Sequence, residues 1–378
     1  MHSVAQFQTW LDDGRPLAGL RLQDLDLGPV ASRLGSEDDL TGLVVLGGAV
    51  PPNLLSHLQT HGAVVFPGDP DVPVNVFRAH LYTGRELYAG IGGPGGYAST
   101  PDARAYAWSR DMRLAGDAYA SLLKAIHDDS VSDALEEWVE GRRVVGVMGG
   151  HAAERGSTSY AMSAHLGLSL AGAGLLVATG GGPGAMEAAN LGAAAPSADA
   201  VEAALDRLRP VPSFRPDVGA WAVAAFEALE ELGPRVVPRD GSPEPIAQAG
   251  APTPLPRSLG VPTWFYGHEP PNVFAEGIAK YFSNAVREDG LLARSNAGVI
   301  VMPGSAGTVQ EVFQLATRLY YAAPDVVLPP LVLVGVEHWT SAIPVWPLLQ
   351  TLAAGRGMAR AIHLVDDPCE VVAIITNG

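Results

Sequence analysis

The stretch VIVMPGSAGTVQEVF, residues 299–313, runs four apolar residues into a turn of small ones and then into a helical rhythm. Val299, Ile300, Val301 and Met302 have the continuous apolar character of a strand buried on both faces. Pro303, Gly304, Ser305, Ala306 and Gly307 make the turn, and Val309, Val312, Phe313, Ala316 and Tyr320 then fall on one helical face. Strand, glycine turn and helix in that order aim several unpaired backbone N–H groups at one point, where the helix dipole adds roughly half a positive charge. Such a point holds a phosphate without any lysine. A plain strand-to-helix connection has the same outline, and no G-K-[ST] follows, so this is not a Walker A loop. Thr308 to Glu311 has the spacing of a capping box. On spacing alone the cap is favoured over a reactive Glu311.

The plan occurs twice more upstream. In RRVVGVMGGHAAERGSTSYA, Val144, Val145, Val147 and Met148 read as a buried strand, Gly149, Gly150 and His151 as the turn, and Ser157 or Thr158 as a helix cap. A histidine at a loop start is more often an ordinary loop hydrogen-bonder than a ligand contact. In GLLVATGGGPGAMEAANLGAA a second strand meets Gly180, Gly181, Gly182 and Gly184, with Met186 just beyond. Alternating strands and helices imply right-handed crossovers and an α/β fold, a doubly wound and mainly parallel sheet of Rossmann-like type. Ligands of such sheets lie outside the carboxyl ends of the strands. All three glycine turns belong there, and one shared crevice is the economical explanation.

Gly180, Gly182 and Ala185 also fit G-x-G-x-x-[GA], the dinucleotide fingerprint. The NAD version needs an acid at the end of a second strand about 20 residues on. Asp199 has the spacing, but LGAAAPSADAVEAAL offers no strand to carry it. A mononucleotide fits better.

Residues 1–110 read as a smaller α/β unit, with strands at 44–46 and 63–66. NVFRAHLYTGRELYAG then reads as a helix, and GIGGPGGYASTPDARAYA as a hinge or active-site loop. A helical linker from about Ala103 to Glu140 sets Leu114, Ala118, Leu122 and Ile126 on one face. The main domain spans 141–378, interrupted by a Pro-rich excursion over 196–262 whose one helix is GAWAVAAFEALEEL. YGHEPPNVF, with His268 and Glu269, is too polar for a strand centre, and Asn272 suits a helix cap. Trp264, Phe265 and Tyr266 suit core packing or stacking on a base.

The net charge of −16, from 24 basic and 40 acidic residues, argues against nucleic-acid or anionic-membrane binding. The single cysteine, Cys369, excludes a disulfide framework and a cysteine-based zinc site. No His/Asp/Glu set has metal spacing, no G-x-S-x-G elbow occurs, and no cofactor is called for. The start, MHSVAQFQTWLDDGRPLAGL, lacks a basic n-region and a long apolar run, so no signal peptide is expected and the expected location is cytoplasmic.

PGSAGTVQE resembles the PGGxGTxxE signature of the Lonely Guy (LOG) family, and GGGPGAMEAAN is similar to that family's second glycine loop. GGHAAERGSTSYA and EPPN resemble the larger bacterial nucleotide 5′-monophosphate nucleosidases. The likeness spans roughly residues 140–340. It implies a homodimeric Rossmann-like protein that cleaves the N-glycosidic bond of a nucleoside 5′-monophosphate, giving free base and ribose 5-phosphate. Carried over, Gly304, Ser305, Gly307 and Thr308 hold the phosphate, and Glu311 becomes the catalytic glutamate. Ser305 departs from the family's second loop glycine. Counting back from PGS puts Glu288 where the family has a catalytic arginine; a one-residue gap restores Arg287, about 100° away around the helix. A nucleotide-binding sensor on the same fold, without turnover, is the alternative.

Overall fold

The computed structural model describes residues 1–233, 255–266, 269–323 and 326–377. They divide into two compact units. One takes in Met1–Leu81 and Arg104–Trp138; the other takes in Tyr82–Ala103 and most of the chain from Val139 onward.

The first unit holds a parallel three-stranded sheet, β1 (Arg21–Gln23), β2 (Val44–Leu46) and β3 (Val64–Phe66), in that spatial order. Leu22, Val45 and the Leu54 and Leu58 pair of the Pro52–Thr60 helix are buried in its core. Positions 54 and 58 are four apart and so share one helical face. The sequence reading missed β1, because Arg-Leu-Gln carries a single apolar residue and no strand pattern.

The second unit is built on a seven-stranded, wholly parallel sheet. Its strands are β4 (Val144–Met148), β5 (Leu176–Thr179), β6 (Ser258–Gly260), β7 (Gly277–Ile278), β8 (Gly298–Val301), β9 (Leu331–Val334) and β10 (Ile362–Val365). The spatial order is β10-β9-β8-β4-β5-β6-β7. Every residue of β4, β5, β8 and β9 is buried, which is why these segments read as apolar runs without alternation. Register sets Met148 opposite Val301 and Val147 opposite Thr179, so β8, β4 and β5 end level with one another. The chain is therefore α/β with parallel sheets. Among the described residues no helix is long and apolar enough to cross a membrane.

The helices Thr158–Gly172 and Ala185–Ala194 pack through small residues. A Cβ on Gly192 would collide with the Ala164 carbonyl oxygen, and one on Gly167 with that of Ala189. Ser157 caps the first of these helices, accepting from Tyr160 N.

Other expectations are corrected. Within NVFRAHLYTGRELYAG only Gly84–Leu87 is helical. The expected helix over 103–140 is two, Pro101–Ser109 and Ala118–Val139, separated by a short 3-10 turn and by Gly116 at φ +79°. The expected apolar face is also rotated: Leu122 is 54% exposed, while Leu123, His127, Val131 and Leu135 are buried. The Pro-rich excursion contains a second helix, Ala198–Leu208, capped by Ser197 and burying Val201, Leu205 and Leu208. Asp199 lies in its first turn rather than at a strand end. Residues 234–254 of the excursion lie outside the described residues. No helix follows Asn272, which is fully buried instead.

Gly192→Ala is expected to lower stability by about 3 kcal/mol in chemical denaturation, since two backbones must separate to admit the methyl group. Gly172→Ala, on the same helix pair with open space at its Cβ position, is expected to leave stability within about 0.5 kcal/mol.

Candidate functional site

The three glycine turns follow the level ends of β4, β5 and β8, and they touch. Gly150 N–H donates to Pro303 O at 3.1 Å, and Ala185 N–H donates to Gly150 O at 3.0 Å. A Cβ on Gly149 would meet Met302 O, and one on Gly184 would meet Gly150 O. Both glycines also hold positive φ, +78° and +76°, a region that L side chains rarely adopt. The turns are thus interlocked by backbone and closed to side chains where they cross. They differ in exposure. Pro303, Ser305, Ala306 and Gly307 are exposed, Gly304 and His151 are half-buried, and Gly149, Thr308 and the run Gly180–Met186, including Gly181 and Gly182, are buried.

The helix after the third turn runs Ala306–Tyr321, with Ser305 as N-cap and no side-chain capping bond. Helical geometry therefore starts before Thr308, Val309 N–H donating to Ser305 O at 3.0 Å. That places Glu311 in the second turn and overturns the capping-box reading. Ser305 sits at φ −111° and ψ −151°, extended backbone open to any residue, so the departure from glycine costs nothing there.

Glu311 turns to Arg287 instead. Arg287 Nη1 donates to Glu311 Oε1 at 3.0 Å, and Nη2 donates to Asn284 Oδ1 at 3.0 Å. Arg287 lies on the Asn284–Arg294 helix, which Ser283 caps. The side chains of Arg287 and Glu311 are 7% and 12% exposed, so the pair is nearly dry yet reaches the surface. Arg287 Nε has no hydrogen-bond partner among the described residues. Glu288, the residue at the counted position, accepts from Asn284 Nδ2 and from Gln310 Nε2, both at 2.7 Å. Arg287 rather than Glu288 is the partner of Glu311.

The buried second turn is held from below by a polar network. Asn272 N–H donates to Gly181 O at 2.8 Å, and its Nδ2 donates to Gly182 O at 3.2 Å and Asn190 Oδ1 at 3.0 Å. Thr179 Oγ1 donates to Asn190 Oδ1 at 2.7 Å and accepts from Gly181 N at 2.9 Å. This role is what the cap reading of Asn272 missed; the polar EPPN stretch between apolar segments was its only signal. Met186 and Arg287 flank the space above Gly180, and Met186 and Glu269 that above Gly182. Glu269 Oε1 is 3.6 Å from His151 Nδ1. His268 lies outside the described residues. His338, 34 residues beyond Gly304, also reaches the third turn: its Nε2 is 3.0 Å from Gly304 O. No spacing in the sequence marks it.

Burial raises the Glu311 carboxyl above the usual glutamate range. Arg287 opposes that rise, and Glu288 and Glu269 add to it. The arrangement offers a poised carboxylate, a guanidinium beside it, and an exposed helix start with free N–H groups.

Comparison with protein-family models and with curated protein sequences returned no match for this chain.

Arg287→Met is expected to destabilise the fold by about 3 kcal/mol near neutral pH, because it strands a buried carboxylate. The folded value of Glu311 lies above its unfolded value, so the native state holds the extra proton in that window and the group's contribution declines as pH rises through it. Without Arg287 that decline steepens. The loss should be larger at about pH 8 than at about pH 5 in denaturant titrations.

Proposed function

We propose that the chain binds a nucleoside 5′-monophosphate at the carboxyl ends of β4, β5 and β8 and hydrolyses its N-glycosidic bond, releasing free base and ribose 5-phosphate. The reading includes a doubly wound, Rossmann-like sheet, membership of the LOG and nucleotide nucleosidase superfamily, and a homodimer. The motif resemblance supports it, and one geometric observation carries it: the Arg287–Glu311 pair, with Nη1 and Oε1 3.0 Å apart, lies between the Gly180 turn and the helix that starts at the third turn.

The phosphate lies against the N–H groups of Ser305, Ala306 and Gly307, where the helix dipole and the exposed turn favour a dianion. The ribose then faces Glu311. As the C1′–N bond breaks, its electron pair leaves with the base and positive charge builds on the ring. The Glu311 carboxylate stabilises that charge and orients the water whose oxygen bonds to C1′, and the water's proton ends on the departing base. Arg287 opposes the rise that burial imposes on the Glu311 carboxyl and so favours its ionised form. A binding protein without turnover is the second reading, favoured by the burial of Gly180–Met186.

Incubation with AMP, GMP, CMP and UMP should release free base, measured by chromatography. Glu311→Gln should lower the rate by at least about a hundredfold while nucleotide still binds. Nucleotide binding with no release from any of the four supports the sensor, and neither binding nor release contradicts both readings. Glu311 must be ionised to act, so the acid limb of the pH–rate profile should lie above the ordinary glutamate range.

A further inference from the structure

Trp264, Phe265 and Tyr266 are consecutive, yet they go separate ways. Trp264 is buried; its backbone N–H donates to Tyr281 O at 2.8 Å and its Nε1 to Asp102 Oδ1 at 2.8 Å. Asp102 also accepts from Lys280 Nζ at 2.6 Å and, on its other oxygen, from Tyr97 Oη at 2.8 Å. That buried cluster fixes the chain at Trp264. Phe265 N–H then donates to Thr263 Oγ1 at 3.0 Å, closing a tight turn. Beyond the turn Phe265 is 52% exposed and Tyr266 37% exposed, their rings 5.1 Å apart and edge to face.

The exposed ring of Tyr266 is tied to the Arg287–Glu311 pair through one side chain. Asn284 Nδ2 donates to Tyr266 Oη at 3.3 Å, while Asn284 Oδ1 accepts from Arg287. Burial, with the nearby carboxylates of Glu288, Glu269 and Glu311, raises the phenol above its ordinary value, and Arg287 opposes the rise. Two adjacent aromatic rings are thus left part-exposed beside the carboxylates of Glu269, Glu288 and Glu311. The complement of an exposed ring is a flat π-system.

We infer that Tyr266, braced edge-on by Phe265, is the surface on which the nucleobase stacks while Glu311 faces the sugar. The inference rests on the proposed nucleotide reading and adds its base subsite. Stacking reads area more than hydrogen-bond pattern, so the subsite favours purine over pyrimidine monophosphates and discriminates weakly between adenine and guanine. The hydroxyl's bond to Asn284 orients the ring; the ring carries the contact.

The test is calorimetric titration with AMP, UMP and ribose 5-phosphate of the full chain carrying Glu311→Gln, so that nucleotide is bound and not consumed, with and without the Tyr266 substitutions. Tyr266→Ala should weaken AMP by about tenfold to a hundredfold and UMP by less, and leave ribose 5-phosphate within about twofold, since the latter has no base. Tyr266→Phe should keep AMP affinity within a few-fold, which separates stacking from a merely structural role. Unchanged AMP affinity in Tyr266→Ala, or equal loss of AMP and ribose 5-phosphate, overturns the inference while leaving the nucleotide reading intact. Protein with Tyr266 intact that binds neither AMP nor ribose 5-phosphate overturns both.

Discussion

The candidate site depends on a contact between backbones. Gly150 sits between the other two turns, donating to Pro303 and accepting from Ala185. No side chain fits at Gly149 or Gly184, where a Cβ would strike a carbonyl oxygen. This fixes the start of the Ala306–Tyr321 helix against the ends of β4 and β5, and it does so without long flexible side chains, whose ordering costs entropy. What the interlock leaves over is small: an exposed helix start on one side and the Arg287–Glu311 pair on the other.

That division suits a strongly acidic chain. With a net charge of −16, long-range attraction works against an anionic ligand, and binding must come from short-range groups. In the proposed reading the N–H groups at a helix start supply it, aided by one guanidinium. Arg287 has two tasks in that reading, because it also opposes the rise that burial imposes on the Glu311 carboxyl in a nearly dry place. Glu269 and Glu288 crowd the same region, and both raise the cost of ionising Glu311. Glu288 accepts from Asn284 and Gln310 and lies 3.9 Å from the Arg287 guanidinium, which comes closer to Glu311 at 3.0 Å.

Much of the second unit was legible in the sequence because buried parallel strands and glycine turns leave strong local marks. VVGVM, LVAT and GVIV are nearly all apolar, without polar alternation, and each runs into its turn. Weak marks failed. Arg21–Gln23 carries one apolar residue, and the 101–139 stretch kept a helical composition across a break that Asp111 and Gly116 impose. Glu311 was misjudged on spacing because the helix begins at Ala306, and a capping box depends on where the first turn starts. The roles of Asn190, Asn272 and His338 were out of reach, since each contact spans from about a dozen to about 90 residues and no local pattern encodes it. The choice between Arg287 and Glu288 needed side-chain geometry: both point toward the same helix, and only the arginine meets Glu311.

The most direct measurement is a crystal structure of the Glu311→Gln protein with ribose 5-phosphate. The account predicts phosphate oxygens within hydrogen-bond distance of the Ser305, Ala306 and Gly307 amides and the sugar ring against residue 311. A phosphate bound elsewhere on the chain, or a sugar turned away from that side chain, would contradict it.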